Sequence, residues 1–269
     1  MRLAVSLSLL VFLFGGACAS DDAAETTATG ATPPAVLQTH PAFGAFTGTL
    51  VLEEVGGSVF TINPARAKER FAPCSTYKIP NTLIGLETGV IRDADFVVPW
   101  DGVKRWNEAW NKDTDLRTAI KVSSLPFYQE VARRIGIEAM QRHVDAIGYG
   151  NRDLSGGLTE FWLGSSLTIS AEEQVDFLKR LHAAQLPFSE RSRAIVLDVI
   201  TQRRDDILTY RGKTGSSGGG TDRDLGWWVG SIERDRRLYV FAANMSGKGA
   251  RGPLARTAVE KILTERGLL

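Results

Sequence analysis

The chain has 269 residues, with 32 lysines and arginines against 31 aspartates and glutamates and a net charge of +1. No long basic run breaks that balance, which argues against nucleic-acid binding, because neutralising phosphates takes clustered cationic side chains. The two cysteines, Cys18 and Cys74, are too few for a disulfide framework, and His40, His143 and His182 lack metal-ligand spacing, so neither a metal site nor a Ser-His-Asp triad is expected.

Met1-Arg2, an apolar run from Leu3 to Phe14 and the small residues after it read as a secretory signal. The run is too short to span a bilayer, which takes roughly 20 apolar residues. Ala17-Cys18-Ala19 fits an A-x-A cleavage site, giving residues 1–19 as signal peptide and Ser20 as the new N-terminus. The competing reading is a lipoprotein attached to the membrane through an acylated Cys18, although Gly15 stands where leucine is usual. Either way the chain is exported, to the periplasm. Residues 20–40, beginning SDDAAETTATGATPPAV, are small and acidic with no apolar period and read as a flexible tether. Residues 41–269 then form the folded domain, and monomer and homodimer both stay open.

Residues 47–53, TGTLVLE, and 58–62, SVFTI, are short and β-rich, and Gly56-Gly57 between them predicts a hairpin. After Pro73 the pattern turns helical, with Ile79, Leu83, Ile84 and Leu86 apolar and Gly89 as the stop. Pro80 falls inside that helix, where it is expected to cost a hydrogen bond. Residues 104–206 carry helical periodicity in several pieces. SLPFYQEVARRIG and IEAMQRHVDAIG each end at a glycine, and SAEEQVDFLKRLHAAQL opens with a capping box, Ser170 followed by Glu173. Strand patterns return with GWWVGSIE and RRLYVFAANM, joined by the polar turn RDR, and LARTAVEKILTERG closes the chain as a helix. Strands from the two ends can pair only if they meet in space. That predicts an α+β fold: an antiparallel sheet formed by strands from both termini, flanked by helices, with an inserted, mainly helical lobe and no consecutive parallel βαβ units.

Ser75 and Lys78, in PCSTYKIPN, stand three positions apart. On a helix such residues share one face, so the lysine is placed to serve the hydroxyl as base. Ser-x-x-Lys alone is weak, since it arises often by chance. GSSGG, residues 215–219, matches G-x-S-x-G around Ser217, but that motif needs a helix after its serine, and Gly218, Gly219 and Gly220 predict a loop instead. Cys74 reads as a small buried filler. Three motifs in order carry more: Ser75-Thr76-Tyr77-Lys78, then Ser123-Ser124-Leu125 opening a helix of the middle lobe, then Lys213-Thr214-Gly215 in LTYRGKTG. S-x-x-K followed by K-T-G is the signature of penicillin-recognising serine enzymes.

With these motifs, the chain resembles a class D β-lactamase, an oxacillinase. The matching stretches are STYKIPNTLIGLETG, AIKVSSLPFYQEVAR, YGN at 149–151, FWL at 161–163, ISAEEQVDFL, KTG and GWWVG, in family order over roughly residues 45–265. It departs from the family in two places. Leu125 stands where the middle motif usually has valine, which adds bulk beside the lysine. The arginine usual near the start of the last helix is met by Ala255 when ILTERG is lined up, leaving Arg256 or Arg251 as the substitute. No S-D-N is present, and Tyr149-Gly150-Asn151, which mimics a catalytic Y-x-N of class C enzymes, is mainly structural in class D.

The resemblance implies acyl transfer from the lactam of a penicillin-type substrate to Ser75, followed by hydrolysis, and antibiotic resistance as the outcome. An ordinary lysine, with a pKa near 10.4, is neutral in only about one molecule in 2,000 at pH 7. Burial among Val122, Leu125, Phe127, Trp162 and Leu163 would favour the neutral amine. By resemblance, Lys78 then takes up carbon dioxide as N6-carboxylysine, so bicarbonate is needed but no other cofactor and no metal. Trp162 donates to that carbamate, and Ser123 relays a proton to the leaving nitrogen. Lys213, Thr214 and Gly215, with Arg256, hold the substrate carboxylate, and the backbone N–H groups of Ser75 and Ser216 form the oxyanion hole. The alternatives are a β-lactam sensor domain and a cell-wall transpeptidase or carboxypeptidase, which share the acylation. The loops at 101–110 and 216–224 are expected to shape the substrate range.

Overall fold

The computed structural model describes residues 36–269, so the signal, Cys18 and most of the tether lie outside the described residues. In chain order the elements are β1 (Val36–Leu37), β2 (Thr47–Glu54), β3 (Val59–Ile62), α1 (Pro64–Lys68), α2 (Lys78–Glu87), β4 (Val97–Val98), β5 (Thr114–Asp115), α3 (Leu116–Lys121), α4 (Leu125–Ile135), α5 (Ile137–Ile147), α6 (Ala171–His182), α7 (Glu190–Val199), β6 (Thr201–Arg204), β7 (Leu208–Ser217), β8 (Leu225–Arg234), β9 (Arg237–Ser246) and α8 (Gly252–Glu265). Seven strands make one sheet in the order β1-β3-β2-β9-β8-β7-β6, so the N-terminal hairpin and the C-terminal strands do share a sheet. Its pairs are antiparallel except β1 with β3. This is the α+β architecture expected from the sequence.

The join is β2 against β9, in register from Thr47 opposite Ser246 to Glu54 opposite Tyr239. Alternation along β8 gives the sheet two apolar faces. Trp227 and Val229 enter the core shared with the helical lobe, while Trp228 and Ile232 enter the core under α8. Asp235 and Arg236 turn β8 into β9, both with positive φ, as a two-residue hairpin turn requires. The capping box at Ser170 and Glu173 forms as predicted and starts α6, which lies against β9 and β2.

Three local expectations fail. Pro80 costs no intrahelical bond, because Cys74–Tyr77 form a 3₁₀ turn and the α-helix begins only at Lys78. Pro80 is therefore its third residue, among the first four whose N–H groups lack intrahelical acceptors in any case. Residues 201–204, within the stretch read as helical, form the edge strand β6 instead. Between α5 and α6 the chain makes turns rather than helix. There Gly148, Gly150, Gly157 and Gly164 take positive φ, and Tyr149, Phe161 and Trp162 are buried.

Candidate active site

The 3₁₀ turn carries the Ser-x-x-Lys pair. Its three-residue period brings positions i and i+3 into line, and Lys78 Nζ donates to Ser75 Oγ at 2.8 Å. Ser75 is partly exposed, whereas Lys78 is only 1 % exposed. Burial without a carboxylate penalises the ammonium form, and the Lys78 pKa falls to about 7. The ring of Tyr128 lies 5.4 Å from Nζ, and Tyr128 hydroxyl and Thr82 Oγ1 pair at 2.9 Å beneath it. Sequence reasoning missed Tyr128; its place three positions after Leu125, on the inner face of α4, was the available signal.

The turn is clamped from several sides. Cys74, with φ of 50°, donates its N–H to Trp162 O at 2.9 Å. A buried chain runs from Tyr149 hydroxyl to Gln174 Oε1 (3.3 Å), from Gln174 Nε2 to Thr76 Oγ1 (2.8 Å) and from Thr76 Oγ1 to Pro73 O (2.7 Å). Burial raises the Tyr149 hydroxyl well above its ordinary pKa, so it stays protonated as part of that chain. Cys74 is likewise buried, with its thiol pushed up to about 11. It is no ready thiolate nucleophile.

Trp162 stacks on Tyr77, the neighbour of Lys78, with ring centroids 5.6 Å apart. It is fully buried, yet among the described residues its indole N–H finds no acceptor. A buried unpaired donor is costly, about 1–3 kcal/mol. The site thus holds an amine with a lowered pKa and an unspent N–H donor beside the same turn.

Ser123 ends the turn after α3 with φ of 54°, a conformation costing a non-glycine residue about 1–3 kcal/mol. It stands just outside the helix it was expected to open, which Ser124 caps by accepting from Phe127 N–H. In that position Ser123 Oγ accepts from Lys213 Nζ at 3.1 Å, and Lys213 also donates to Thr214 O at 3.0 Å. Lys213 is 4 % exposed, and burial first, then the charge of Lys78, hold its pKa well below that of free lysine. Leu125 is partly buried and packs on the lobe core.

β7 carries Lys213 to the turn holding Ser75 and Lys78 because Gly215 permits close approach. A Cβ there would lie 2.9 Å from Pro73 O and 3.2 Å from Thr76 Cγ2. The two-residue turn makes Arg234 and Arg237 a hydrogen-bonded pair, so even-numbered residues of β8 bond β9 and odd-numbered ones bond β7. With Gly215 opposite Trp227 and Ser216 opposite Gly226, the Ser216 N–H points away from β8. Among the described residues β6 pairs only with Thr209–Arg211, so that amide emerges on an edge that no described strand covers. The Ser75 N–H also has no acceptor among the described residues. The Ser216 hydroxyl accepts from Gly252 N–H at 2.8 Å and ties β7 to α8. Ser217 ends β7 and runs into a loop, as expected. Asp224 wires that loop by accepting from the N–H groups of Gly219, Gly220, Thr221 and Gly249.

Lys213 and Thr214 open into a cavity of about 330 Å³ that also holds Arg256. The Arg256 guanidinium bonds Glu260 (2.7 Å) and Gln202 (3.0 Å) and lies over the Trp228 ring. Arg251 is exposed ahead of α8. A second cavity, of about 370 Å³, lies between α4 and the loop holding Trp100 and Arg105; none of Ser75, Lys78 and Lys213 lines it.

Residues 51–264 match the penicillin binding protein transpeptidase domain family. The chain is 40 % identical over 230 residues to beta-lactamase OXA-10 of Pseudomonas aeruginosa, covering 84 % of this chain and 86 % of that one. It is 43 % identical over 202 residues to beta-lactamase OXA-48 of Klebsiella pneumoniae, covering 75 % and 76 %. A crystal structure of a class D β-lactamase from Bacillus subtilis superposes with a TM-score of 0.81 at 40 % identity, covering 85 % of this chain and 94 % of the other. The chain belongs to the class D β-lactamases. It is a β-lactamase with a serine at the head of its site, and its motifs occur in the order of the family resemblance drawn from the sequence. Among the described residues of this β-lactamase, no group of histidine, cysteine, aspartate and glutamate could hold a metal ion, and no helix is long and apolar enough to cross a membrane.

Proposed function

We propose that this β-lactamase hydrolyses penicillin-type antibiotics through an acyl-enzyme on Ser75, with Lys78 as the base, and so confers resistance on the cell that exports it. The observation that carries the reading is the 2.8 Å contact between Ser75 Oγ and an amine that burial brings to a pKa of about 7. Such an amine is substantially neutral at physiological pH. It can take the serine proton directly, or bond carbon dioxide and release a proton to become a carbamate anion, a stronger acceptor. The unpaired Trp162 N–H supports the second form, since a carbamate oxygen would give that donor its missing acceptor.

Ser75 Oγ attacks the lactam carbonyl as its proton passes to Lys78. The N–H groups of Ser75 and Ser216 take the developing oxyanion, each worth about 3 kcal/mol. The C–N bond breaks and the ring nitrogen takes a proton from Ser123, which Lys213 can replenish. Lys78 first sheds the serine proton to solvent, which resupplies Lys213; it then deprotonates the water that attacks the ester and returns that proton to Ser75 Oγ as the ester bond breaks. Lys213 and Thr214 hold the substrate carboxylate, with Gly215 setting their distance from the turn and Arg256 at the rim of the same cavity. Carboxylation strengthens that anchor. It replaces a neighbour whose positive charge lowers the Lys213 pKa with an anion that raises it, so Lys213 keeps its proton.

Mixing the enzyme with a penicillin and measuring intact mass tests this. A transient adduct on Ser75, many equivalents hydrolysed, no adduct in Ser75→Ala, and activity retained in Cys74→Ala and Ser217→Ala are expected. An adduct on Ser217 overturns the assignment, and a single burst without turnover is the behaviour of a sensor or transpeptidase. For export, a mature chain beginning at Ser20 supports cleavage, and a lipid on Cys18 supports the anchor; an uncleaved chain in the cytoplasm refutes both.

A further inference from the structure

We propose that the cavity opening from Lys213 and Thr214 contains a second anion subsite centred on Lys121, which favours β-lactams carrying a second negative charge on the ring substituent near the carboxylate. This rests on the reading of Lys213 and Thr214 as the carboxylate anchor. At about 330 Å³ the cavity is of ligand size and exceeds what one carboxylate fills. Four cationic side chains line it, Arg117, Lys121, Lys213 and Arg256, against one carboxylate, Asp198. Arg117 is spent on Asp198, Nη1 to Oδ2 at 2.5 Å, and Arg256 on Glu260 and Gln202. Lys213 points at Ser123 and Thr214. Lys121 has neither an ion pair nor a hydrogen bond among the described residues, though it stands at the end of α3, two positions before Ser123. A monoanionic penicillin satisfies Lys213 and leaves Lys121, an exposed residue on the lining of the same cavity, without a counter-charge. A second anionic group, carboxylate or sulfonate, on the six-membered ring of a cephalosporin would fill that deficit.

The probes are two cephalosporins of matched size, one with a stable anionic ring substituent and one with its neutral ester or amide. The readout is the ratio of their kcat/KM values, which cancels any change in the amount of active enzyme. Solvent-facing charge pairs of this kind give factors of roughly two to five. Lys121→Gln is therefore expected to lower the anionic-to-neutral ratio by about two- to five-fold, Lys121→Glu by about the square of that factor, and 0.5 M salt to compress the differences. Lys112→Glu, an exposed lysine lining the other cavity, controls for the long-range field. A ratio that follows the charge at residue 121 but not at residue 112 supports the subsite. The same ratio in all enzymes, or an equal shift in Lys112→Glu, overturns it. Turnover of the neutral cephalosporin and its loss in Ser75→Ala report separately on the β-lactamase reading, so a flat ratio with that turnover intact removes the subsite alone.

Discussion

Lys78→Met should make the protein inactive and more stable. Burial lowers the Lys78 pKa from 10.5 to about 7. At about 1.4 kcal/mol per pH unit, that fall puts about 5 kcal/mol of destabilisation on the folded state at neutral pH. Methionine keeps the buried stem and removes the charge. Ser75 loses a donor, but its hydroxyl is partly exposed and water replaces it, at a loss of about 1 kcal/mol. A net gain of about 2–4 kcal/mol raises the Tm of a domain this size by about 5–15 °C. The pH dependence carries the argument. Below about pH 7 folded and unfolded lysine are both protonated and the full penalty stands. Between about 7 and 10.5 the unfolded chain holds a proton the folded one has lost, so wild-type stability rises with pH and the gap closes. Thermal unfolding of both proteins in degassed buffer at pH 6.5, 8.5 and 10 should show the gap shrinking in that order. Added bicarbonate should narrow it at pH 8.5 by stabilising wild type alone, as any ligand of the native state does. A variant no more stable than wild type at pH 6.5, or a gap independent of pH, would mean that the buried Lys78 ammonium does not destabilise the fold.

Lys213→Ala should lower kcat/KM for ordinary penicillins by about ten- to a hundred-fold, the worth of a hydrogen bond to a charged group. A penicillin esterified at the carboxylate should lose far less, and equal losses for both substrates count against the anchor. Trp162→Phe removes the unpaired N–H while keeping an apolar ring. It should raise the bicarbonate concentration for half-maximal activity by about ten-fold or more, read from bicarbonate titrations of steady-state rate; an unchanged requirement removes Trp162 from the carbamate.

Much of this site was legible because its residues signal locally. Ser75 and Lys78 meet through one turn of helix, whereas the Ser216 amide came from the family resemblance and its exposure rests on a strand register that only the structure supplies. The family resemblance brought Ser123 and Lys213 to the same place, although 90 residues separate them. Other features depend on contacts between distant segments and leave no such pattern. The Tyr149–Gln174–Thr76 chain joins three segments through single side chains. The edge strand β6 has a polar sequence, TQRR, and owes its extended form to β7 alone. Pro80 misled because sequence periodicity does not register that the first turn is 3₁₀ and the α-helix starts three residues late. The 149–170 segment defeated pattern reading since its glycines break every period while its aromatic residues are held by tertiary burial.

In this mechanism burial leaves the Lys78 amine free to become a carbamate that serves Ser75. Carbon NMR of the enzyme equilibrated with ¹³C-labelled carbon dioxide tests it most directly. One carbamate resonance is expected in wild type and in Ser75→Ala, absent in Lys78→Met, fading as the pH falls through about 7, with activity following its intensity. No labelled carbamate at any pH, with full activity in degassed buffer, would mean that Lys78 works as a free amine and would rule out the carbamate mechanism.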